Sequence, residues 1–443
     1  MKQRVVITGT GMITSLGHNV EDVWKNLLAC KSGIKRTKSF DAQTFPTNFS
    51  AEVKDFNILN FLSDADKKKH KDADRNSSFI LGAALQAWEQ AGLPKTLHMD
   101  ANDDTTPRAD RVGVYLGAGE GPPDFDNFIR PTAESWNKES RTMDWKNWAD
   151  VALKCMRPIH ELQQEPNMSS SHIAHLFKLR GLNMSCLTAC AASTQAIGEA
   201  SDLIRHGDAD IIIAGGTHSM IHPLGITGFN RLTALSTRND DYTTASRPFD
   251  DSRDGFVIAE GSGIIILESL DSAIKRGVPI LAEVTGYGST ADAFRVTDQH
   301  DEGRGGIAAV ELALETAGLT PDKIDYISAH GTGTAENDSI ETHVIKTVFG
   351  KHAKNTPISS VKSSLGHLIA AAGVVELITC ILAIRDDIIP PTLNLNTPDP
   401  ALDLDYVPNT PRKQEVNIAM SNSFGFGGQN NTIIIEQYRD NKS

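Results

Sequence analysis

The sequence predicts an α/β fold built in layers, on three observations. Short β-branched apolar runs, such as Ile211-Ile212-Ile213-Ala214-Gly215-Gly216 and Gly263-Ile264-Ile265-Ile266-Leu267, suit buried strands. Segments of helical period alternate with them, which puts helices on sheet faces. The opening pattern Val5-Val6-Ile7-Thr8-Gly9-Thr10-Gly11 is echoed by Leu281-Ala282-Glu283-Val284-Thr285-Gly286-Tyr287-Gly288. The echo suggests an internal duplication with halves meeting near 270–280, although a chance match would look the same.

In chain order, residues 5–11 read as a strand ending in a glycine turn. The basic start at Met1 and Lys2 precedes an apolar run that glycine and threonine interrupt at once, too short for a signal peptide. Gly9, Gly11 and Gly17 do not have the dinucleotide-binding spacing. Residues 20–29 and 76–91 have helical period, and 112–117 is a second strand. Residues 120–168 carry adjacent prolines, several tryptophans and many charges, the mark of a surface excursion. Then follow a helix (172–180), a strand (183–188), a helix after Cys190, and strands at 210–216 and 263–268. After the echo strand come a helix (306–317), a strand (325–329), a helix (338–348), a strand (356–360), a long helix (367–385) and closing strands (416–421, 431–436).

A chain of 443 residues, 40% hydrophobic and 22% charged, has ordinary globular composition. Its net charge of −13 argues against a nucleic-acid partner. The five scattered cysteines suit reduced thiols in a cytoplasm rather than a disulfide framework, and none has zinc spacing. No apolar stretch reaches transmembrane length.

Chemistry concentrates at four places. Cys190 sits in Leu187-Thr188-Ala189-Cys190-Ala191-Ala192-Ser193-Thr194, after a strand and ahead of a helix. A helix N-terminus favours thiolate, and small neighbours admit a substrate. A single buried cysteine is more often a small core residue, and Cys186 reads that way. His330, in Ala329-His330-Gly331-Thr332-Gly333-Thr334, follows a strand at its carboxyl end, where α/β sheets gather ligand sites; alone it could simply satisfy a turn. His367, in Lys362-Ser363-Ser364-Leu365-Gly366-His367, begins the long helix, where a neutral imidazole can donate to a forming oxyanion. Lys362 reads as a charge carried into the site, and Asp338 and Glu341 either pair with it or cap their own helix. Asn422-Ser423-Phe424-Gly425-Phe426-Gly427-Gly428 is either an oxyanion-binding turn or a plain hairpin with Phe424 and Phe426 as core.

Together with Leu235-Ser236-Thr237-Arg238-Asn239-Asp240, Ala245-Ser246-Arg247-Pro248-Phe249-Asp250 and Arg253-Asp254-Gly255-Phe256-Val257, these motifs stand in the order of the β-ketoacyl-acyl-carrier-protein synthases. The chain resembles the elongating type II enzymes over nearly its whole length. The resemblance implies a thiolase fold, with duplicated α/β halves (1–275 and 276–443) in five αβαβα layers, usually as a homodimer. It implies an acyltransferase: Cys190 takes an acyl group from acyl carrier protein, and malonyl carrier protein loses carbon dioxide and attacks it. His330 and His367 would hold the malonyl oxyanion, and the Cys190 and Phe426 N–H groups the acyl one. Lys362 would organise the histidines with Glu341 as partner. Phe426 would gate the site, with Phe424 beside it. Thr297, Thr332 and Thr334 would line the pantetheine approach, and Leu116 would end the acyl pocket. No cofactor is implied, though a structural monovalent cation is compatible.

The initiating synthases have asparagine where His367 stands, and thiolases use a second cysteine near the C-terminus, whereas none follows Cys380 here. The 120–168 segment, Gln429 and Asn431 depart from the family pattern. They keep a specialised polyketide or polyene ketosynthase open. A thioester hydrolase with His330 as base is disfavoured by the second histidine, and a non-catalytic partner subunit by Cys190. Lys68, Lys69 and Arg75 could greet an acidic carrier or form a solvated face.

Overall fold

The computed structural model describes residues 3–99 and 105–440, so Met1 and Lys2 lie outside the described residues. Ten strands share one sheet. In the first half they are β1 (Val5–Ile13), β2 (Val112–Ala118), β3 (Asn183–Cys186), β4 (Ile211–His218) and β5 (Gly261–Ser269). In the second they are β6 (Ala282–Ala291), β7 (Tyr326–Ser328), β8 (Ile358–Ser359), β9 (Ile418–Gly425) and β10 (Gln429–Glu436). Their spatial order is β8-β7-β9-β10-β6-β1-β5-β4-β2-β3. Each half therefore runs outward from the middle in one pattern, 1-5-4-2-3 and 6-10-9-7-8. Within each, the two inner pairings are antiparallel and the two outer ones parallel. The halves join at β1 and β6 through Val6 with Glu283 and Ile7 with Ala282.

Helices α1 (Arg75–Gln90) and α2 (Asn167–Phe177) cover the outer face of the first half. Helix α3 (Ala192–His206) packs on its inner face. Helices α4 (Arg304–Ala317) and α5 (Ala335–Phe349) lie outside the second half, and α6 (Ala372–Asp386) lies against α3 in the middle. With each half of the sheet counted as one layer, the result is helix, sheet, helix, sheet, helix: the five αβαβα layers of a thiolase fold. As the central layer, α6 is buried at every residue from Ala372 to Ile384, which explains its apolar run.

The echoed glycines have a common cause. A Cβ at Gly9 or Gly11 would stand 2.1 or 1.9 Å from the carbonyl oxygens of Ala87 and Ala83 on α1. A Cβ at Gly286 or Gly288 would stand 2.4 or 2.0 Å from those of Ala313 and Ala309 on α4. Each half seats its outer helix on bare strand backbone, so neither glycine pair tolerates a side chain.

Three elements differ from the sequence expectation. Helix α2 spans Asn167–Phe177 rather than 172–180, ending where Lys178 turns left-handed at φ 57°. The stretch 367–385 becomes α-helical only at Ala372, because the His367 backbone bridges to Ile258: its N–H donates to Val257 O and its carbonyl accepts from Ala259 N. The first closing strand, expected at 416–421, begins at Ile418 and runs to Gly425. The 120–168 excursion holds helices Phe125–Ser135, Trp145–Cys155 and Pro158–Gln163, with Trp145 and Leu153 largely exposed.

Candidate active site

Three chain reversals meet at the carboxyl ends of the strands. After β3 the chain enters a 3-10 turn, Ala189–Ala191, with Ala189 at φ 48°, and this turn delivers Cys190 to the start of α3. After β7, His330 stands before Gly331 and Gly333, whose φ values of 35° and 85° are open to glycine. The β9–β10 hairpin turns at Phe426–Gly428, with both glycines left-handed. Gly425 lets this hairpin close on the cysteine turn, since a Cβ there would lie 3.1 Å from Thr188 O and 3.4 Å from Cys190 N.

The His367 Nε2 is 3.1 Å from the Cys190 Sγ. Its Nδ1 accepts the Ile369 N–H at 3.2 Å, so the Nε2 carries the proton. His330 Nδ1 faces the Lys362 ammonium at 3.4 Å, which likewise leaves its proton on Nε2. The two rings meet edge to face with centroids 5.4 Å apart. Burial, with Lys362 nearby, holds both imidazoles well below the usual histidine range, hence neutral.

Lys362 is buried and donates to His330 O at 2.6 Å and to Glu376 Oε1. Its partner is therefore Glu376 of α6, not Glu341. Glu341 instead accepts the N–H groups of His330 and Gly331, both at 2.8 Å, and fixes the histidine loop from behind. Asp338 similarly accepts from Phe249 N and Gly333 N. The carboxylate of Glu341 is taken up by the backbone donors of the loop that precedes its own helix, and Glu376 of α6 meets the ammonium instead. Burial pushes Glu341 and Glu376 each up to about 7, and in Glu376 Lys362 pulls the other way. The sequence sign of Glu376 is a lone acid inside Val374-Val375-Glu376-Leu377-Ile378, since an acid in a buried run needs a partner.

The expectation of a resting thiolate is corrected. Burial pushes the Cys190 thiol up to about 11, with the Lys362 ammonium and the Phe426 N–H pulling it back. Desolvation outweighs the helix terminus here. Cys186 is half-buried, donates to Ala192 O and is pushed up to about 12 by burial. All five cysteines are free.

A cleft of about 340 Å³ reaches Cys190, His330 and His367 and is lined also by Thr297, Thr332, Thr334, Phe424 and Phe426. Leu116 is not among its lining residues; it packs with Ile213 and Ile264 in the core of the first half, because its side of β2 faces that core. Cys190 belongs to an apolar cluster with Ile221, Ile226, Leu235, Phe256, Ile258 and Ile369, of which Phe256 also lines the cleft. Arg75 is committed to Glu260, and Lys69 pairs with Asp66.

The ligand atoms of Cys190, His330 and His367 lie within 4.8 Å of one another, close enough for a metal ion. Both histidines present N–H groups there and an ammonium stands behind, so the pocket suits an anion better than a cation. Neutral donors fixed around a soft nucleophile can stabilise negative charge on a thioester oxygen.

The family models for the β-ketoacyl synthase N-terminal and C-terminal domains match residues 2–273 and 281–396. The chain belongs to the β-ketoacyl synthase family. A 3-oxoacyl-[acyl-carrier-protein] synthase 2 of Coxiella burnetii is 41% identical, covering 99% of this chain and 100% of that protein. Among solved structures, the ishigamide ketosynthase/chain length factor is 33% identical with a TM-score of 0.85, covering 99% and 100% of the two chains. A type II polyketide ketosynthase in complex with its acyl-carrier protein, bound to the hexaketide, has a TM-score of 0.85 at 30% identity, with the same coverage. The chain is thus an acyltransferase with the fold and full length of these synthases. Among the described residues no helix is long and apolar enough to cross a membrane.

Proposed function

We propose that this protein lengthens acyl chains on acyl carrier protein by a decarboxylating Claisen condensation. In the first half-reaction the Cys190 sulfur attacks the carrier-bound thioester, the carrier's C–S bond breaks, and the departing carrier thiol takes the cysteine proton. The thioester oxyanion is held by the N–H groups of Cys190 and Phe426. In the second, malonyl carrier protein loses carbon dioxide, and its electron pair passes into an enolate held by the Nε2–H groups of His330 and His367. The enolate carbon attacks the acyl-cysteine, the C–S bond breaks, and the cysteine regains a proton from solvent. The product is a 3-oxoacyl chain two carbons longer. Lys362 and Glu376 position His330, and Glu341 holds its loop. Thr297, Thr332 and Thr334 guide pantetheine, while Phe424 and Phe426 shape and gate the entry. The acyl chain enters the apolar cluster around Cys190 past Phe256, which lines the cleft.

The observation that carries this reading is the pairing of two neutral N–H donors with one thiol. A hydrolase would need one histidine free to accept a proton, and both Nδ1 atoms are already engaged. No cofactor takes part. A structural monovalent cation fits behind the site: Glu376 Oε2, Ser328 Oγ and Ser421 Oγ are buried without partners, and Ser328 and Ser421 are opposite each other in β7 and β9. Strand β3, at the sheet edge with Met184 exposed and the exposed Leu187 just beyond it, supports a homodimer across that edge. The sparse, free cysteines support a cytoplasmic location.

The 120–168 helices favour one second reading, a specialised polyketide or polyene ketosynthase with the same chemistry. Acyl carrier proteins loaded with saturated and polyene chains of graded length decide the matter by intact mass. Condensation leaves an acyl adduct on Cys190 that malonyl carrier protein discharges as a longer product. Free acid released without malonyl overturns it.

A further inference from the structure

His218 closes β4 and is buried beside the active-site turn, yet it is not among the residues lining the cleft. Its Nδ1 accepts the Ala370 N–H at 3.5 Å. That N–H belongs to the 3-10 turn Ile369–Ala371, which leads from His367 into α6. The first donors of a helical turn have no partner within it, and here each is accounted for. Ile369 N donates to His367 Nδ1, Ala370 N to His218, and Ala371 N to Leu368 O.

The turn needs holding. Ile369 is β-branched and stands at φ 50°, in the left-handed region that such residues avoid. Its N–H is the bond that keeps the His367 proton on Nε2, and its side chain packs with Cys190.

The duplication sharpens the point. Ala189–Ala191 and Ile369–Ala371 are equivalent turns, each opening on a left-handed residue and each leading into a 15-residue central helix. The Ala370 N–H therefore corresponds to that of Cys190. In the first half that donor faces the thiol; in the second it points at an imidazole. The ring of His218 is confined on its far side by Gly119, where a Cβ would fall 2.1 Å from Nε2.

We propose that His218 is a positioning residue: by accepting the Ala370 N–H it holds the strained Ile369 turn, and through that turn it fixes the His367 ring and its proton for the malonyl step. This rests on the condensing reading above. An apolar residue would fill the same space but leave the Ala370 donor unpaired.

The test separates the half-reactions. In His218→Leu, acylation of Cys190 by acyl carrier protein proceeds at the wild-type rate, whereas carbon dioxide release from malonyl carrier protein falls roughly 10- to 100-fold. His218→Asn, whose Oδ1 can replace the Nδ1 acceptor, restores most of it. Gly119→Ala, which crowds the ring without touching it chemically, reproduces the selective loss. Equal losses in both half-reactions, failure of asparagine to rescue, or an unaffected malonyl step overturns the role of His218. Wild-type protein that neither acylates nor condenses would instead overturn the condensing reading itself.

Discussion

The imidazole of His367 approaches the Cys190 sulfur at 3.1 Å while its other nitrogen is engaged by the Ile369 N–H. A histidine so held is a donor, and it cannot take the thiol proton at Nε2 without first giving one up.

The hairpin glycine should control the acylation step. Gly425→Ala sets a methyl 3.1 to 3.4 Å from Thr188 O and the N–H groups of Ala191 and Cys190. The Phe426 N–H then moves off the thiol, and loss of one oxyanion donor costs about 10²-fold or more. Stopped-flow acylation of Cys190 should show that loss, with thermal stability little changed. Acylation at the wild-type rate would remove Phe426 from the oxyanion hole.

The Lys362–Glu376 pair is buried on both sides. Glu376→Leu leaves an ammonium without its carboxylate and should cost about 3–5 kcal/mol by denaturant unfolding. Adding Lys362→Met should recover much of that stability while leaving activity low. A single substitution as mild as the double would mean that the pair is not a buried charge pair.

Protonation gives a signed expectation. In the folded state His367 is held neutral by burial, while the unfolded chain binds a proton near the ordinary histidine value. Acidification below about pH 6.5 therefore favours unfolding by up to about 1.4 kcal/mol per pH unit for this residue. His367→Phe should lose less stability than wild type between pH 6.5 and 5. The raised carboxyls of Glu341 and Glu376 act in the opposite sense, taking up protons in the fold first, but they are common to both proteins and leave the difference. Parallel stability curves would mean a protonated His367 in the fold.

The duplication predicts matched sensitivities. Gly11→Ala and Gly288→Ala each drive a methyl into a helix carbonyl, and each should cost more than about 2 kcal/mol. Gly318→Ala meets no atom within 4 Å but sits at φ 67°; it should cost less than either. If the two buried variants proved neutral, the helices would not rest on the strand backbone as described.

These glycines also show what was legible in the sequence. Gly9 and Gly11 recur as Gly286 and Gly288 because the same packing constraint acts twice. Cys190, His330 and His367 stood out because small residues and glycines surround them, which core packing alone does not demand. Glu376 was hidden because the helix around it is apolar and only the fold brings Lys362 to it. Leu116 lies in the core of the first half and outside the cleft, which the sequence did not show because alternation along a strand gives a residue's face, not what lies beyond that face. The thiolate expectation failed because a helix terminus is visible in sequence and depth of burial is not. His218 carried no local signal at all; its meaning comes from a turn more than a hundred residues away.

The most direct measurement is a single turnover of enzyme already acylated on Cys190, mixed with malonyl carrier protein and followed by intact mass. Wild-type protein should discharge the adduct as a 3-oxoacyl product, whereas His330→Ala and His367→Ala should keep it, with carbon dioxide release slowed about 10²- to 10³-fold. Discharge at the wild-type rate in either variant would contradict the paired-donor account.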